Sequence, residues 1–238
     1  MSKLVSVSRE WLILSGLLFV AIIVNGLAGA PLAIAGELLE NQMLVLIGII
    51  LPAQLFGFIG VGYVFLKRYD VGLDAIDFTL DVRDNIMFAV IITVLMILFA
   101  AIISYISLQL GVEAAENQVL EFFQQGDIYV FAFVLLTVFI VAPAEEFLFR
   151  GVVQYRFNNV VGPLVSIVLT SILFSLFHIP AMIESSSVEV AVYLVSLFVG
   201  SLLLGYAYER TNNLFVPIIS HACYNSVIAL QFLFVVVV

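Results

Sequence analysis

Seven apolar runs, each long enough to form a membrane-spanning helix, follow one another along this chain and leave only short polar segments between them. A helix needs roughly 20 residues to cross a hydrocarbon core of about 30 Å. The runs cover residues 11–35, 43–66, 86–110, 129–153, 163–181, 188–208 and 214–236. Because 64% of the 238 residues are hydrophobic and only 11% are charged, no room remains for a sizeable soluble domain. The sequence therefore predicts an all-α polytopic transmembrane helix bundle of about seven spans.

The positions of the basic residues predict how these spans are oriented. Lys and Arg near the ends of spans are retained on the cytoplasmic side. All eight precede the first run, separate the second from the third, close the fourth, or precede the seventh: Lys3, Arg9, Lys67, Arg68, Arg83, Arg150, Arg156 and Arg210. The gaps after the first, third and fifth runs contain acidic residues and no basic one. We therefore expect the N-terminus inside and the C-terminus outside.

Polar side chains with catalytic potential concentrate in the second half of the chain. We predict two regions, residues 1–128 with three spans and surface segments, and residues 129–238 with four spans that carry the chemistry. Two segments of the first region have helical periodicity, which predicts short helices along the membrane surface. The periodic positions are Asp70, Asp74, Asp77, Asp81 and Asp84 in one segment, and Ala115, Val119, Phe122 and Phe123 in the other.

The net charge of −9 narrows the range of partners. Nucleic acid is disfavoured, because proteins that bind it carry basic patches. Acidic loops on a membrane protein fit a high-salt habitat, so the composition suggests an integral protein of a prokaryotic plasma membrane, in a halophile. The lipid bilayer is the one partner that the composition requires.

Three ionisable residues lie inside the fourth apolar run, namely Glu145, Glu146 and Arg150. A charged side chain at the centre of a membrane helix costs roughly 2.5 to 3.5 kcal/mol, so these side chains are expected to face a protein interior or a wet cavity. Glu146 and Arg150 are four residues apart, acid first, which is the favourable order for an ion pair within a helix. Glu145 points about 100° away from Glu146 and is free to face another neighbour.

The later apolar runs supply candidate partners for these carboxylates: His178, His221 and Asn225. At a rise of ~1.5 Å per residue, Glu145 and these three residues lie roughly 14 to 23 Å from the inner ends of their spans, so they can meet at one level. Pro143 and Pro180 are expected to kink the fourth and fifth spans. Kinks at membrane depth tend to line cavities. The pattern therefore predicts a hydrated pocket among the fourth, fifth and seventh spans.

Three ordered motifs thus lie in the fourth, fifth and seventh apolar runs: Glu145-Glu146-x-x-x-Arg150, Phe174-x-x-x-His178 and His221-x-x-x-Asn225. Over about residues 129–236, this pattern resembles the CAAX protease and bacteriocin-processing enzyme family, also called the Abi family, which includes the type II CAAX prenyl endopeptidase. The resemblance implies an intramembrane endopeptidase that hydrolyses a peptide or membrane-protein substrate, lipidated in the prenyl protease branch.

The resemblance also assigns a role to each motif residue. It implies that Glu145 is the general base, that Glu146 and Arg150 support it, and that His178 is the second water-binding residue. His221 and Asn225 would stabilise the oxyanion, and Phe174 would serve in packing. The residue types fit this chemistry, because peptide hydrolysis needs an activated water, a base, and donors aimed at the tetrahedral oxygen.

Other interpretations of the same residues stay open at this stage. One Glu and two His also make a plausible zinc triad, Glu145, His178 and His221, although H-E-x-x-H is absent. We expect a metal-free glutamate mechanism, as the resemblance to the prenyl protease branch implies. A transporter or ion pathway could use the same Glu and His residues, and a catalytically idle immunity or binding protein could keep the fold without needing them.

Overall fold

The computed structural model describes residues 3–79, 85–112, 118–182 and 185–235, and within these ranges it contains helices and turns but no strand. This confirms the all-α prediction. We number the helices in chain order as α1 (Lys3–Leu38), α2 (Gln42–Arg68), α3 (Ile86–Leu110), α4 (Gln118–Phe123), α5 (Asp127–Val161), α6 (Pro163–Phe177), α7 (Ser187–Thr211) and α8 (Phe215–Val235).

Six of the described helices are long and apolar enough to cross a membrane, namely α1, α2, α3, α5, α7 and α8. The fifth predicted span, 163–181, is shorter than expected. It forms α6, whose 15 residues extend for only ~22 Å. Pro180 accounts for the early end, because it has no amide hydrogen to donate to the Leu176 carbonyl oxygen, and its ring would clash with that oxygen in a continuing α-helix. The chain continues as the 3-10 turn Ile179–Met182, so Pro180 follows the end of the helix instead of kinking it.

Polar contacts join several segments at one end of the bundle. Arg156, near the end of α5, pairs with Glu10, near the start of α1, at 2.8 Å. Glu209, near the end of α7, accepts a hydrogen bond from Gln154 of α5. The turn after α7 hydrogen-bonds to residues 77–79, which follow α2. These segments therefore share one end, as the predicted topology requires, while the compartment that this end faces stays a prediction.

The two predicted surface helices have different outcomes. In the first segment, residues 70–79 contain the 3-10 turn Leu73–Ala75 and no α-helix, so that prediction is wrong there. The segment is held instead by its side chain Ile76, which is buried in the main apolar cluster, and by its bonds to the turn after α7. Asp81 and Asp84 lie outside the described residues. In the second segment α4 is a helix, and its Phe122 and Phe123 are buried; Ala115 lies outside the described residues.

Helix α5 lies at the centre of the bundle and packs against α1, α2, α4, α6, α7 and α8. Its hydrogen-bond pattern is irregular around the acidic pair. The π-helical stretches Thr137–Val141 and Phe147–Gln154 flank a short α-helical turn, Ala142–Glu146. Pro143 lacks the amide hydrogen that a regular helix needs at this point, and π-helical turns accumulate at functional sites. The irregular backbone therefore surrounds the residues that the sequence singled out.

Candidate active site

Glu146 and Arg150 form the ion pair that their spacing predicts. The Arg150 Nη1 lies 3.0 Å from the Glu146 Oε1, and both side chains have no solvent exposure. The other guanidinium nitrogen, Nη2, donates to the hydroxyl and the carbonyl oxygen of Ser201 in α7, at 2.9 and 3.1 Å. Phe174 of α6 lies against the guanidinium, with its ring centroid 5.2 Å from the Arg150 Cζ.

The burial of Arg150 corrects one part of the topology argument. This residue is one of the eight cations that the sequence places on the inner side, yet it lies inside the bundle with its charge paired. A paired cation at that depth carries no information about which side of the membrane a loop occupies. The predicted orientation therefore depends on the other seven basic residues.

His221 of α8 completes a three-membered cluster around one oxygen atom. Its Nδ1 lies 2.7 Å from the Glu146 Oε1, the same oxygen that accepts from Arg150. A carboxylate oxygen only accepts, so the His221 Nδ1 carries the hydrogen in this contact. Glu146 thereby fixes the orientation of the imidazole ring, and it connects α5 with α8 as well as with its own Arg150.

Glu145 faces the other nitrogen of the same imidazole. Its Oε2 lies 3.9 Å from the His221 Nε2, and its Oε1 accepts a hydrogen bond of 3.5 Å from the Gln54 Nε2 of α2. Adjacent helix positions point about 100° apart, so the two acids approach His221 from different sides. The structure therefore brings the Glu145 carboxylate within bridging reach of one predicted histidine partner.

His178 lies beside this cluster, at the point where α6 ends. Its Nδ1 lies 2.8 Å from the Phe174 carbonyl oxygen, which only accepts, so this nitrogen is the donor and Nε2 is left as an acceptor. The Phe174 ring contacts both imidazoles, with centroid distances of 4.7 Å to His178 and 6.4 Å to His221. Among the described residues, no hydrogen bond or ion pair joins His178 to Glu145. The predicted sharing of a water between these two side chains stays a prediction.

The exposure of these side chains increases from one side of the cluster to the other. Glu146 and Arg150 are completely buried, whereas Glu145 keeps 7% and His221 keeps 5% of its accessible surface. His178 and Asn225 are only half-buried. Asn225 lies one turn beyond His221 on the same helix, α8.

All the motif residues fall within the part of the chain that matches a known family. Residues 127–227 match the family described as Type II CAAX prenyl endopeptidase Rce1-like. This part of the chain is therefore similar to that CAAX protease family. The match confirms the resemblance drawn from the three motifs, and it begins at the first residue of α5. Among curated proteins and solved structures, none matches this chain.

The alternative zinc site can be compared with the observed arrangement of these side chains. Within the described ranges, no group of three or more His, Cys, Asp or Glu side chains is arranged to hold one. The alternative zinc triad of Glu145, His178 and His221 is included in that statement. His221 and His178 each direct Nδ1 at a protein oxygen, which leaves Nε2 of each ring for other contacts, and no step below is routed through a metal.

Two residues of the cluster escaped the sequence analysis, Gln54 of α2 and Ser201 of α7. Gln54 carries a detectable signal, because an amide side chain in the middle of an apolar run has to find a partner, as a charged one does. Ser201 carries no such signal, since a small hydroxyl is common in membrane helices and hydrogen-bonds within its own helix. The polar cluster therefore contains groups from the second and sixth spans as well as from the fourth, fifth and seventh.

Proposed function

We propose that this chain is a membrane-embedded endopeptidase in which Glu145 activates a water molecule and His221 with Asn225 stabilises the oxyanion. The observation that carries the proposal is the 3.9 Å separation between the Glu145 Oε2 and the His221 Nε2. That separation is too long for a direct hydrogen bond. It suits two groups that act on neighbouring oxygens of one tetrahedral carbon, the attacking oxygen and the former carbonyl oxygen.

In the first step Glu145 acts as the general base. Its Oε2 takes a proton from water as the water oxygen bonds to the carbonyl carbon of the substrate, and the carbonyl π electrons move to the oxygen. The His178 Nε2 is the acceptor left by the bond of Nδ1 to Phe174, so it can hold the second hydrogen of the same water. General base catalysis of this kind contributes typically 100- to 10,000-fold in rate, by general experience with enzymes.

The oxyanion then needs hydrogen-bond donors that are already in place. His221 donates from Nδ1 to Glu146, so as the imidazolium it also donates from Nε2 toward the oxyanion. With that charge, the four buried groups Glu145, Glu146, Arg150 and His221 sum to zero, which suits a site at membrane depth. The Asn225 amide supplies a second donor. Glu145 then returns its proton to the leaving nitrogen as the C–N bond breaks, which yields a carboxyl group and an amine.

The same assignment gives Glu146 and Arg150 a supporting role through His221. Glu146 accepts from the His221 Nδ1 at 2.7 Å, and Arg150 holds Glu146 at 3.0 Å. Preorganised donors stabilise a transition state because they need not reorient during the reaction. In this proposal the ion pair therefore supports the oxyanion histidine directly, whereas the family resemblance implies support of the general base.

The proposed substrate is a peptide or a membrane-protein segment that reaches the cluster within the bilayer. The depth of the cluster suits a substrate carrying a lipid group, and matched peptides with and without a prenyl chain test this point. The proposed location is a prokaryotic plasma membrane. The acidic composition further predicts activity at high salt, which a salt titration of the purified enzyme tests.

Replacement of Glu145 by Gln tests the proposal. Glu145→Gln keeps the size of the side chain but removes the base, so we expect peptide cleavage by purified, detergent-solubilised protein to fall by ~100- to 10,000-fold. Glu37→Gln, a change at an exposed acid near the end of α1, is the control and should leave cleavage intact. Loss of ion flux into liposomes without any cleavage would identify a transporter. No effect on either assay would favour a binding or immunity protein.

A further inference from the structure

We infer that Gln54, a residue of α2 outside the part of the chain that matches the CAAX protease family, positions the general base Glu145. This inference rests on the proposed function, because it assigns a task to the contact between the Gln54 Nε2 and the Glu145 Oε1. It gives the N-terminal helices a part in the chemistry, whereas the family match begins only at residue 127.

The Gln54 amide is buried against the Glu145 carboxylate. Gln54 is 91% buried, its relative exposure being 9%, and its Nε2 donates to Glu145 across 3.5 Å. The opposite orientation of the amide would place its oxygen against the carboxylate oxygen, which is unfavourable. The Gln54 Oε1 has no hydrogen-bond partner in the described part of the chain. Contact with Glu145 is therefore what determines how this side chain points.

The contact with Gln54 restricts the orientation of the Glu145 carboxylate. The two carboxylate oxygens have different surroundings, because Oε1 receives the Gln54 amide while Oε2 faces the His221 Nε2. A carboxylate held at one oxygen cannot rotate freely about its terminal bond. Gln54 therefore determines which oxygen takes the proton from water and keeps that oxygen on the side of His221.

The backbone around Gln54 is irregular. The residue lies in the π-helical stretch Ala53–Gly60, which follows directly after Pro52. With its amide oriented so that the nitrogen faces α2, the Asn25 side chain of α1 donates to the Ala53 carbonyl oxygen at 2.8 Å. At Gly57 an added Cβ would lie 1.4 Å from the Asn25 amide, so the absence of a side chain there lets α1 insert this donor. π-helical turns are rare and are frequent at functional sites. The Asn25 side chain therefore stabilises the irregular turn that carries Gln54.

Kinetics of a Gln54 variant provide the first test. Gln54→Met keeps the length and apolar bulk of the side chain but removes the donor. We expect kcat to fall roughly 10- to 100-fold, the range for one lost hydrogen bond to a charged group, with KM changed less than about twofold. Leu46→Met, a volume-conserving change at a fully buried position of the same helix, is the matched control. A kcat for Gln54→Met equal to that of Leu46→Met would overturn the inference.

A double-mutant cycle tests the contact without relying on activity. The shift in unfolding midpoint caused by Gln54→Met is measured in the unmodified protein and in Glu145→Leu, which lacks the carboxylate. A smaller shift in the Glu145→Leu background supports the contact, because neighbouring residues are not additive when they interact. Equal shifts would overturn the inference even if the protein is an active protease. Conversely, cleavage that is unaffected by Glu145→Gln would contradict the proposed function. The double-mutant cycle could still be interpreted, because it measures stability and not activity.

Discussion

The polar cluster has two sides that differ in how tightly their groups are held. We call Glu146, Arg150 and Ser201 the anchored side, and Glu145, His178 and Asn225 the open side, with His221 between them. On the anchored side, Glu146 and Arg150 have no exposure and the bonds of Arg150 are 2.9 to 3.1 Å long. On the open side, the contacts of Glu145 are 3.5 and 3.9 Å long, and His178 and Asn225 are half-buried.

This difference suits Glu146 to a structural role and Glu145 to the proposed role of general base. One Glu146 oxygen accepts from both Arg150 and His221, and Arg150 also donates to Ser201. These contacts connect α5 with α8 and α7. Glu145 has a weaker donor in Gln54 and a free oxygen near the exposed edge. A carboxylate without solvent exposure is out of reach of a water molecule, whereas one near the exposed edge can accept a proton from water. We therefore expect stability to depend on the anchored side and turnover on the open side.

The largest stability effect is expected from Arg150→Met. This change leaves the Glu146 carboxylate buried with His221 as its remaining partner, and breaking a buried ion pair costs roughly 3 to 5 kcal/mol. The free energy of unfolding in detergent measures the effect. Arg210→Met, at an exposed cation near the end of α7, is the control and should shift stability by less than about 0.5 kcal/mol. Equal shifts for the two variants would mean that the buried contacts of Arg150 do not stabilise the fold.

The opposite behaviour is expected from Asn225→Ala. Loss of one oxyanion donor costs roughly 100- to 1000-fold in turnover in other enzymes. Because Asn225 is half-buried, we expect the unfolding midpoint of the variant to stay close to that of the unmodified protein. Gln231→Ala, an exposed amide further along α8, provides the comparison. Unchanged turnover would remove Asn225 from the site and leave His221 as the remaining proposed oxyanion donor.

A smaller effect is expected from Ser201→Ala. Arg150 would lose the hydroxyl at 2.9 Å but keep the Ser201 carbonyl oxygen and Glu146. One hydrogen bond to a charged group is worth about 1.5 to 3 kcal/mol, and the remaining contacts place this case near the lower figure. Unfolding in detergent measures it, with Ser196→Ala on the same helix for comparison. A loss of turnover without a loss of stability would contradict the division between the two sides.

The smallest effect is expected from exhaustive chelation. If Glu145 activates water without a metal, turnover should be the same before and after treatment with chelator, within the error of the assay. Loss of turnover that zinc restores would show that Glu145, His178 and His221 come together around a metal ion. The open side would then be a metal centre, and the comparison between the two sides would need to be redrawn.

Much of the site could be predicted from the chain, because local spacing determines local contacts. The pair Glu146 and Arg150 follows from a separation of four residues. The placement of a histidine near the acids follows from the cost of charge at membrane depth, which leaves few alternatives. The end of α6 at Phe177 was also open to prediction, since the missing amide hydrogen of Pro180 affects only the preceding helical turn. The apolar run continues to residue 181, so its length alone predicts a longer helix than the one that forms.

The sequence on its own establishes the class of this protein: an all-helical membrane bundle whose residues 127–227 are similar to CAAX proteases. Hydrophobic length and helical spacing are local properties, so they can be read without knowing the fold. Which oxygen of which acid meets which imidazole nitrogen was decided only by the tertiary structure. Gln54 and Glu145 are 91 residues apart, and His221 and Glu146 are 75 apart. Contacts over such distances depend on how whole helices pack, which no pattern of neighbouring residues records.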